Sequence, residues 1–267
     1  MQKTKLPDVQ EKGFVYRDSD HSYFFDGKRM TGCTTLLGVL GKPALVPWAS
    51  RMACDYIREH SAIQHSLDGI PEYLITAEVL EQAVNAYARK RDDGAQKGTD
   101  THALVEEYVK KCIENTNGVP ALIPDNESIQ PVVDWAQKED IRFLASEIKL
   151  YSKSLWVAGT ADIIFEKDGK RYIGDIKTYK KIWDRVPFFQ CAGYALMWEE
   201  MNPELLNKPD KSFGELKHGI DGYCIINLPK ERSFKESEDI RWSFDVGGDT
   251  KAFLACVELY RQLASFK

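Results

Sequence analysis

Gly159-Thr160-Ala161-Asp162, followed at a short interval by Gly174-Asp175-Ile176-Lys177-Thr178, is the part of the chain on which the fold and the chemistry both turn. The two stretches sit in runs rich in β-branched and aromatic residues, Trp156 to Phe165 and Arg171 to Lys177, joined through Lys167-Asp168-Gly169-Lys170. Such runs around an Asp-Gly turn predict a β-hairpin. Each strand then carries one aspartate, and pairing brings the two carboxylates together. Carboxylates at short range repel unless a cation lies between them, and an oxygen-rich site of this kind suits Mg²⁺ or Mn²⁺. In Asp175-Ile176-Lys177 the two-residue repeat of a strand points Asp175 and Lys177 to one face and Ile176 to the other, into the core. An ammonium is thereby set beside the carboxylates. Phosphodiester hydrolysis asks for that combination: a metal to activate water and neutralise phosphate, and a cation to orient the nucleophile or stabilise developing charge. A lone D-x-K reads first as a surface ion pair on a strand, but this one is not alone.

Working outward, Phe143 to Tyr151 predicts a strand before the pair, and a helix from about Glu127 to Ile141 precedes it. After the pair come a helix from about Asp184 to Met201, a polar loop, a strong strand at Gly222 to Leu228, a weaker one near Arg241 to Phe244, and a closing helix from about Thr250. On the N-terminal side, Phe14 to Met30 reads as a small antiparallel strand pair. Thr34 to Leu40, Pro47 to about Glu59, Thr76 to about Arg91 and Thr99 to about Asn115 show helical spacing of apolar residues. Helices followed by β-β-β-α-β and a helix predict a mixed α/β (α+β) layer fold, a mixed sheet flanked by helices with an N-terminal helical region. The expected organisation is a flexible tail over 1–13 and one domain over 14–267, its hairpin and helical region at 14–95 and its core at 96–267.

A chain of 267 residues that is 43% hydrophobic can build one such domain. With Lys plus Arg at 36 against Asp plus Glu at 41, the net charge of -5 has the wrong sign for binding nucleic acid through bulk charge, so any phosphate binding must be local. Acidic metal ligands would themselves add negative charge. The six cysteines stand singly with no C-x-x-C pair, which fits reduced thiols and indicates neither a zinc site nor a disulfide frame. The opening MQKTKLPDVQEK has no apolar signal core and no run is long enough to span a bilayer, so the expectation is a cytoplasmic protein without membrane contact. No G-x-x-x-x-G-K-[ST] occurs, so no nucleotide-driven motor is expected, and no G-x-S-x-G elbow points to a covalent acyl mechanism.

Taken with their neighbours, these motifs resemble the RecB-like exonuclease branch of the PD-(D/E)XK nuclease superfamily, which includes phage exonucleases and the mitochondrial genome-maintenance exonuclease. Gly98-Thr99-Asp100-Thr101-His102 is similar to the family's G-T-x-x-H at a helix start; Glu147 lies on the strand before the aspartate pair, where the family often has an acidic residue. Gly159 to Asp162 matches its G-x-x-D, Asp175 to Lys177 its D-x-K, and Gln190 to Tyr194 its Q-x-x-x-Y. The motifs cover about Gln96 to Glu200; more loosely, His21-Ser22-Tyr23 to Trp48 looks like phage members. The resemblance implies a restriction-endonuclease-like core and a DNA exonuclease. In it His102, Asp162, Asp175 and the Ile176 carbonyl hold one or two Mg²⁺ or Mn²⁺ ions, Glu147 assists, Lys177 aids an attacking water, and Gln190 and Tyr194 position Lys177 and the substrate phosphate. Asp162 follows Ala161 rather than a proline, as is common in this branch. The iron-sulfur cluster of some relatives is not expected, because Cys224 and Cys256 are too few after the motifs to hold one. Phage or prophage recombination in a bacterial or infected host cell, with a recombination or replication partner, follows from the resemblance alone.

Each residue also has a plainer reading. His102, with Glu106 one turn on, reads as an ordinary helix-face histidine; Glu147 as a solvated strand residue paired with Lys149; Gln190 and Tyr194, one turn apart, as a cap on the sheet. Lys180, Lys181 and Arg185 after the second strand, and Lys97 in the basic stretch before His102, predict phosphate contacts on either side of the site or else solvated faces. Trp183, Phe188 and Phe189 read as stacking residues or as core. The alternative function is a nuclease fold that grips nucleic acid or a partner without cutting. A more distant one is a different metal enzyme on a similar sheet.

Overall fold

The structure, a computed structural model, describes residues 13–41, 45–65, 67–203 and 219–265, and the side chains of all of these except 71 and 95–97. The expected N-terminal tail and most of the polar loop before the fourth core strand lie outside the described residues, as does the side chain of Lys97.

The chain divides into two compact units, one from Met1–Val39 with Thr101–Lys267 and the other Leu40–Asp100. The first opens with β1 (Phe14–Arg17), β2 (Ser22–Phe25) and β3 (Lys28–Arg29), a three-stranded antiparallel sheet, then β4 (Thr31–Gly32) and α1 (Cys33–Leu37). The second contains α2 (Leu45–His60), the antiparallel pair β5 (Ala62–His65) and β6 (Pro71–Leu74), and α3 (Ala77–Val84), whose N-cap Thr76 accepts from Val79 N–H. This division differs from the expected one at residue 96: the N-terminal strands belong with the core because Phe25 and Met30 pack on Tyr151 and Ala158 of the main sheet.

The helix expected over Thr76 to Arg91 is divided between α3 and a long helix, α4 (Ala86–Thr116), which also runs through the helix expected over Thr99 to Asn115. Gly94 and Gly98 lie inside α4, and an interior glycine costs only about 1 kcal/mol relative to alanine, which a long helix tolerates. His102 therefore sits in mid-helix and not at a helix start. There follow α5 (Gln130–Lys138), β7 (Arg142–Ser152), β8 (Val157–Lys167), β9 (Lys170–Lys177), α6 (Val186–Met201), β10 (Gly222–Asn227), α7 (Glu236–Asp239), β11 (Ile240–Ser243) and α8 (Val246–Ala264).

The main sheet is mixed, in the order β11-β10-β9-β8 with β7 and β4 both on β8. The pairs β7·β8, β8·β9 and β10·β11 are antiparallel, while β9·β10 and β4·β8 are parallel. Parallel neighbours require a crossover, and α6 supplies it between β9 and β10. Helices cover both faces. Leu36 of α1, Met197 and Trp198 of α6 and Phe253 of α8 bury Ile173, Tyr223 and Ile225 on one side. Val105 and Val109 of α4 and Val133 and Trp135 of α5 bury Ile176, Cys224 and Ile226 on the other. Strands buried on both faces explain their nearly unbroken apolar runs. At the turn from β7 to β8, the Glu200 carboxylate accepts from the Lys153 and Ser154 amides and from both Ser152 and Ser154 hydroxyls at 2.6–3.1 Å. Burial disfavours its charge, but these donors outweigh that and hold its pKa below the usual value.

All six cysteines are free. Among the described residues, no helix is long and apolar enough to cross a membrane.

Candidate functional site

The site forms where β8 and β9 part. β7 runs along one edge of β8 throughout, so β9 and β4 must share the other. β9 pairs with β8 only from Ile163↔Gly174 onward to the turn, whereas β4 takes Val157 and Ala158. Between them Asp162 faces a gap. Beyond Gly174, β9 pairs with β10 alone, and the Lys177 carbonyl points that way, accepting from Leu228 N–H at 2.7 Å. Backbone groups alternate edges along a strand, so the N–H and C=O of Ile176 point into the gap, where no strand meets them. Buried backbone groups are almost always paired. Here Asp162 Oδ2 accepts the Ile176 N–H at 2.6 Å, and the His102 imidazole lies beside the Ile176 backbone. The motif aspartate thus has a backbone role as well as any chemical one.

His102 from α4, Glu147 from β7 and Asp162 from β8 each bring one ligand-type atom to within 4.8 Å of the others, and His102 Nδ1 lies 3.5 Å from Asp162 Oδ2. The pairs Ser146↔Ile163 and Ile148↔Ala161 set Glu147 opposite Asp162, but its φ of 50° puts it in the left-handed region and interrupts the ladder. That conformation is uncommon for a residue with a Cβ and carries a cost of about 1 kcal/mol or more. The register is the same on both sides of it, so Glu147 stays across from Asp162 and its carboxylate joins the cluster. Electrostatically the three are strained without a cation. Burial, then the Asp175 charge, push the Asp162 carboxyl well above its usual pKa, and burial raises Glu147 too. Burial and the nearby Lys177 charge lower the His102 imidazole, keeping it neutral and able to ligate. One nitrogen and two carboxylates fit Mg²⁺ or, better, a borderline ion such as Mn²⁺.

Asp175 and Lys177 face the α6 side, opposite Ile176, as strand alternation requires. Lys177 Nζ lies 2.5 Å from Asp175 Oδ2 in a buried ion pair, and among the described residues Asp175 Oδ1 has no hydrogen-bond partner although the residue is 1% exposed. A buried carboxylate with open lone pairs is a second feature that a cation would satisfy. Burial disfavours the Lys177 ammonium, but Asp175 and Asp162 outweigh it and raise its pKa, so the side chain stays charged. Asp175 itself is not in the three-residue cluster. The geometry groups Glu147 with His102 and Asp162 in the place where the resemblance put Asp175.

Gln190 Nε2 donates to Tyr194 Oη at 2.6 Å, and no hydrogen bond from either reaches Lys177 among the described residues. Tyr194 is buried with its ring against Gly159: a Cβ there would come within 2.6 Å of the tyrosine Cε1 and 3.2 Å of Cys33 Cβ. The glycine of one motif thus makes room for the tyrosine of another. Gly159→Ala is expected to destabilise the fold by about 1–3 kcal/mol through overpacking, measured by denaturant unfolding. An unchanged midpoint would show that Tyr194 can move aside.

Of the basic residues, Lys180 and Lys181 are exposed. Arg185 is held by Asp249 Oδ1 at 2.7 Å and Ser243 Oγ at 3.1 Å, which ties the start of α6 to α8 and gives this arginine a structural task that its sequence position did not suggest. Trp183 is 77% exposed, whereas Phe188 is buried and Phe189 packs against the core. The pairing of Lys149 with Glu147 is present at 3.4 Å, with the ammonium 4.7 Å over the Tyr16 ring, and Tyr23 bonds Thr160 at 2.8 Å. Tyr16 and Lys230, whose charge reaches His102, carried no sequence signal.

No protein-family model matches the chain, and no curated protein does so significantly.

Proposed function

We propose that this chain is a divalent-metal-dependent nuclease that hydrolyses phosphodiester bonds of DNA on a PD-(D/E)XK-type core, with the end-directed action of the RecB-like branch. The observation that carries this reading is the convergence of His102, Glu147 and Asp162 within 4.8 Å at the mouth of a gap whose other strand presents Asp175 and Lys177. Supporting it are the left-handed Glu147, the buried Asp175 Oδ1 with no hydrogen-bond partner among the described residues, and the mixed sheet in which an antiparallel pair leads through α6 into a parallel strand. Strained backbone of this kind is concentrated at functional sites.

His102, Glu147 and Asp162 would hold the ion, with the Ile176 carbonyl at their side. Bound there, Mg²⁺ or Mn²⁺ supplies Lewis-acid stabilisation of phosphate charge and a lowered pKa for water. The chain's own contribution is positional. Lys177 stays protonated in its pairing with Asp175 and offers its ammonium to the scissile phosphate or the attacking water. Lys180 and Lys181 carry local positive charge for the strand despite the net charge of -5.

The test is degradation of end-labelled linear and closed-circular DNA, single- and double-stranded, with Mg²⁺, Mn²⁺ or chelator, alongside the Asp175→Ala protein. Metal-dependent loss of linear DNA only, absent in the variant, is the expected result. Binding without cleavage of any substrate would replace the proposal with a non-cleaving nucleic-acid module, and cleavage of closed circles would replace end-directed with internal action.

A further inference from the structure

The segment from Thr178 to Arg185, between β9 and α6, leaves the carboxyl end of the parallel pair β9·β10, directly after Lys177. It is fastened along its length. Tyr179 exchanges two hydrogen bonds with the buried Asn227 side chain, its N–H donating at 2.8 Å and its carbonyl accepting at 3.0 Å. The Lys180 carbonyl accepts from Arg232 Nε at 2.9 Å. Asn227 and Arg232 are themselves fixed by the buried Asp239, at 2.6–2.7 Å, and Arg185 closes the segment on Asp249. Between these anchors Trp183 stands 77% exposed, with Lys181 Nζ 5.2 Å from its ring centroid.

A single exposed aromatic needs no special explanation. This one differs in its setting: an anchored loop, an ammonium on one face of the indole with the rest open to solvent, Lys180 and Lys181 alongside, and a site six residues upstream. Six residues of chain reach at most roughly 20 Å, the length of a few nucleotides. A cation next to a solvent-facing ring is the pairing that grips single-stranded nucleic acid, in which phosphates meet the charge and an unstacked base meets the ring. Bases inside a duplex are already stacked on each other and have no face to offer.

We propose that Trp183, with Lys181 against it, is a stacking platform for a base of a single-stranded DNA end, so that the substrate is held as an unpaired strand. This rests on the nuclease reading above. The test is fluorescence anisotropy with Ca²⁺ in place of Mg²⁺, the labelled strands being checked to be intact. Wild type, Trp183→Ala and Trp183→Phe are titrated with an oligothymidylate, an abasic strand of equal length and a blunt duplex. Expected are a loss of affinity of roughly tenfold for oligothymidylate in Trp183→Ala, near-complete rescue by Trp183→Phe, and no change for the abasic strand or the duplex. Unchanged oligothymidylate affinity in Trp183→Ala, or an equal loss on the abasic strand, overturns this inference and leaves the nuclease reading standing. Wild-type protein that binds none of the three overturns both.

Discussion

Lys177→Ala is expected to abolish cleavage, lowering kcat by about a hundredfold to a thousandfold or more, the scale seen when one charge-stabilising group is removed from a site. It should also weaken the fold. Asp175 is 1% exposed and Lys177 is its only ionic partner among the described residues, so the truncation strands a carboxylate in the interior. Breaking a buried pair from one side costs about 3–5 kcal/mol, much of it the desolvation of the charge left behind. Asp175→Ala strands the ammonium instead and should behave alike in both respects. The double variant Asp175→Asn with Lys177→Met separates the two effects, because it carries no uncompensated charge. It should recover most of the lost stability in denaturant unfolding while remaining inactive. Recovery of activity along with stability would mean that the pair is only a structural ion pair, and near-normal cleavage by purified Lys177→Ala would sink the site assignment outright.

Legibility in the sequence followed the range of the physics involved. β7, β8 and β9 were readable to within a residue or two, because dense β-branched runs and the Asp168-Gly169 turn are local signals. The hairpin of β5 and β6 went unread: its described side chains are exposed, so no alternation marks a buried face. The continuity of α4 through Gly94 and Gly98 was hidden for the opposite reason: interior glycine is a local cost that a helix of 31 residues absorbs. At the site, Asp162, Asp175 and Lys177 were legible as a pattern. Glu147 was ambiguous because the strand's register shifts between Phe143 and Ala145 and its own φ is left-handed, and nothing in the sequence encodes either. The bond between Arg185 and Asp249 joins residues 64 apart, and the Asn227, Arg232 and Asp239 network exists only once β10 and α7 are in place. Such contacts are tertiary facts, invisible to periodicity.

Addition of Mn²⁺ is expected to raise the melting temperature. An ion that binds only the folded chain at a hundred times its Kd stabilises by about 2.7 kcal/mol, which for a chain of this size amounts to about 5–10 °C. The sign follows from the site: two carboxyls raised by burial and an imidazole kept neutral are groups whose mutual strain a cation relieves. His102→Ala should reduce the Mn²⁺ shift more than the Mg²⁺ shift, because an imidazole ligand favours the transition ion over the harder one. The carboxylates pose the sharper question. Motif resemblance assigns the second ligand to Asp175, whereas the geometry gathers Glu147 with His102 and Asp162 and turns Asp175 toward Lys177. Glu147→Gln and Asp175→Asn, each titrated by calorimetry and compared with its own metal-free melting temperature, decide between them. If the geometry governs, Glu147→Gln loses most of the shift and Asp175→Asn keeps it. The reverse result would mean that the Asp175 carboxylate leaves Lys177 and turns to the ion on binding, with Glu147 reduced to partnering Lys149. Loss in both variants would point to two ions, one on each side of the gap that Asp162 and Ile176 close.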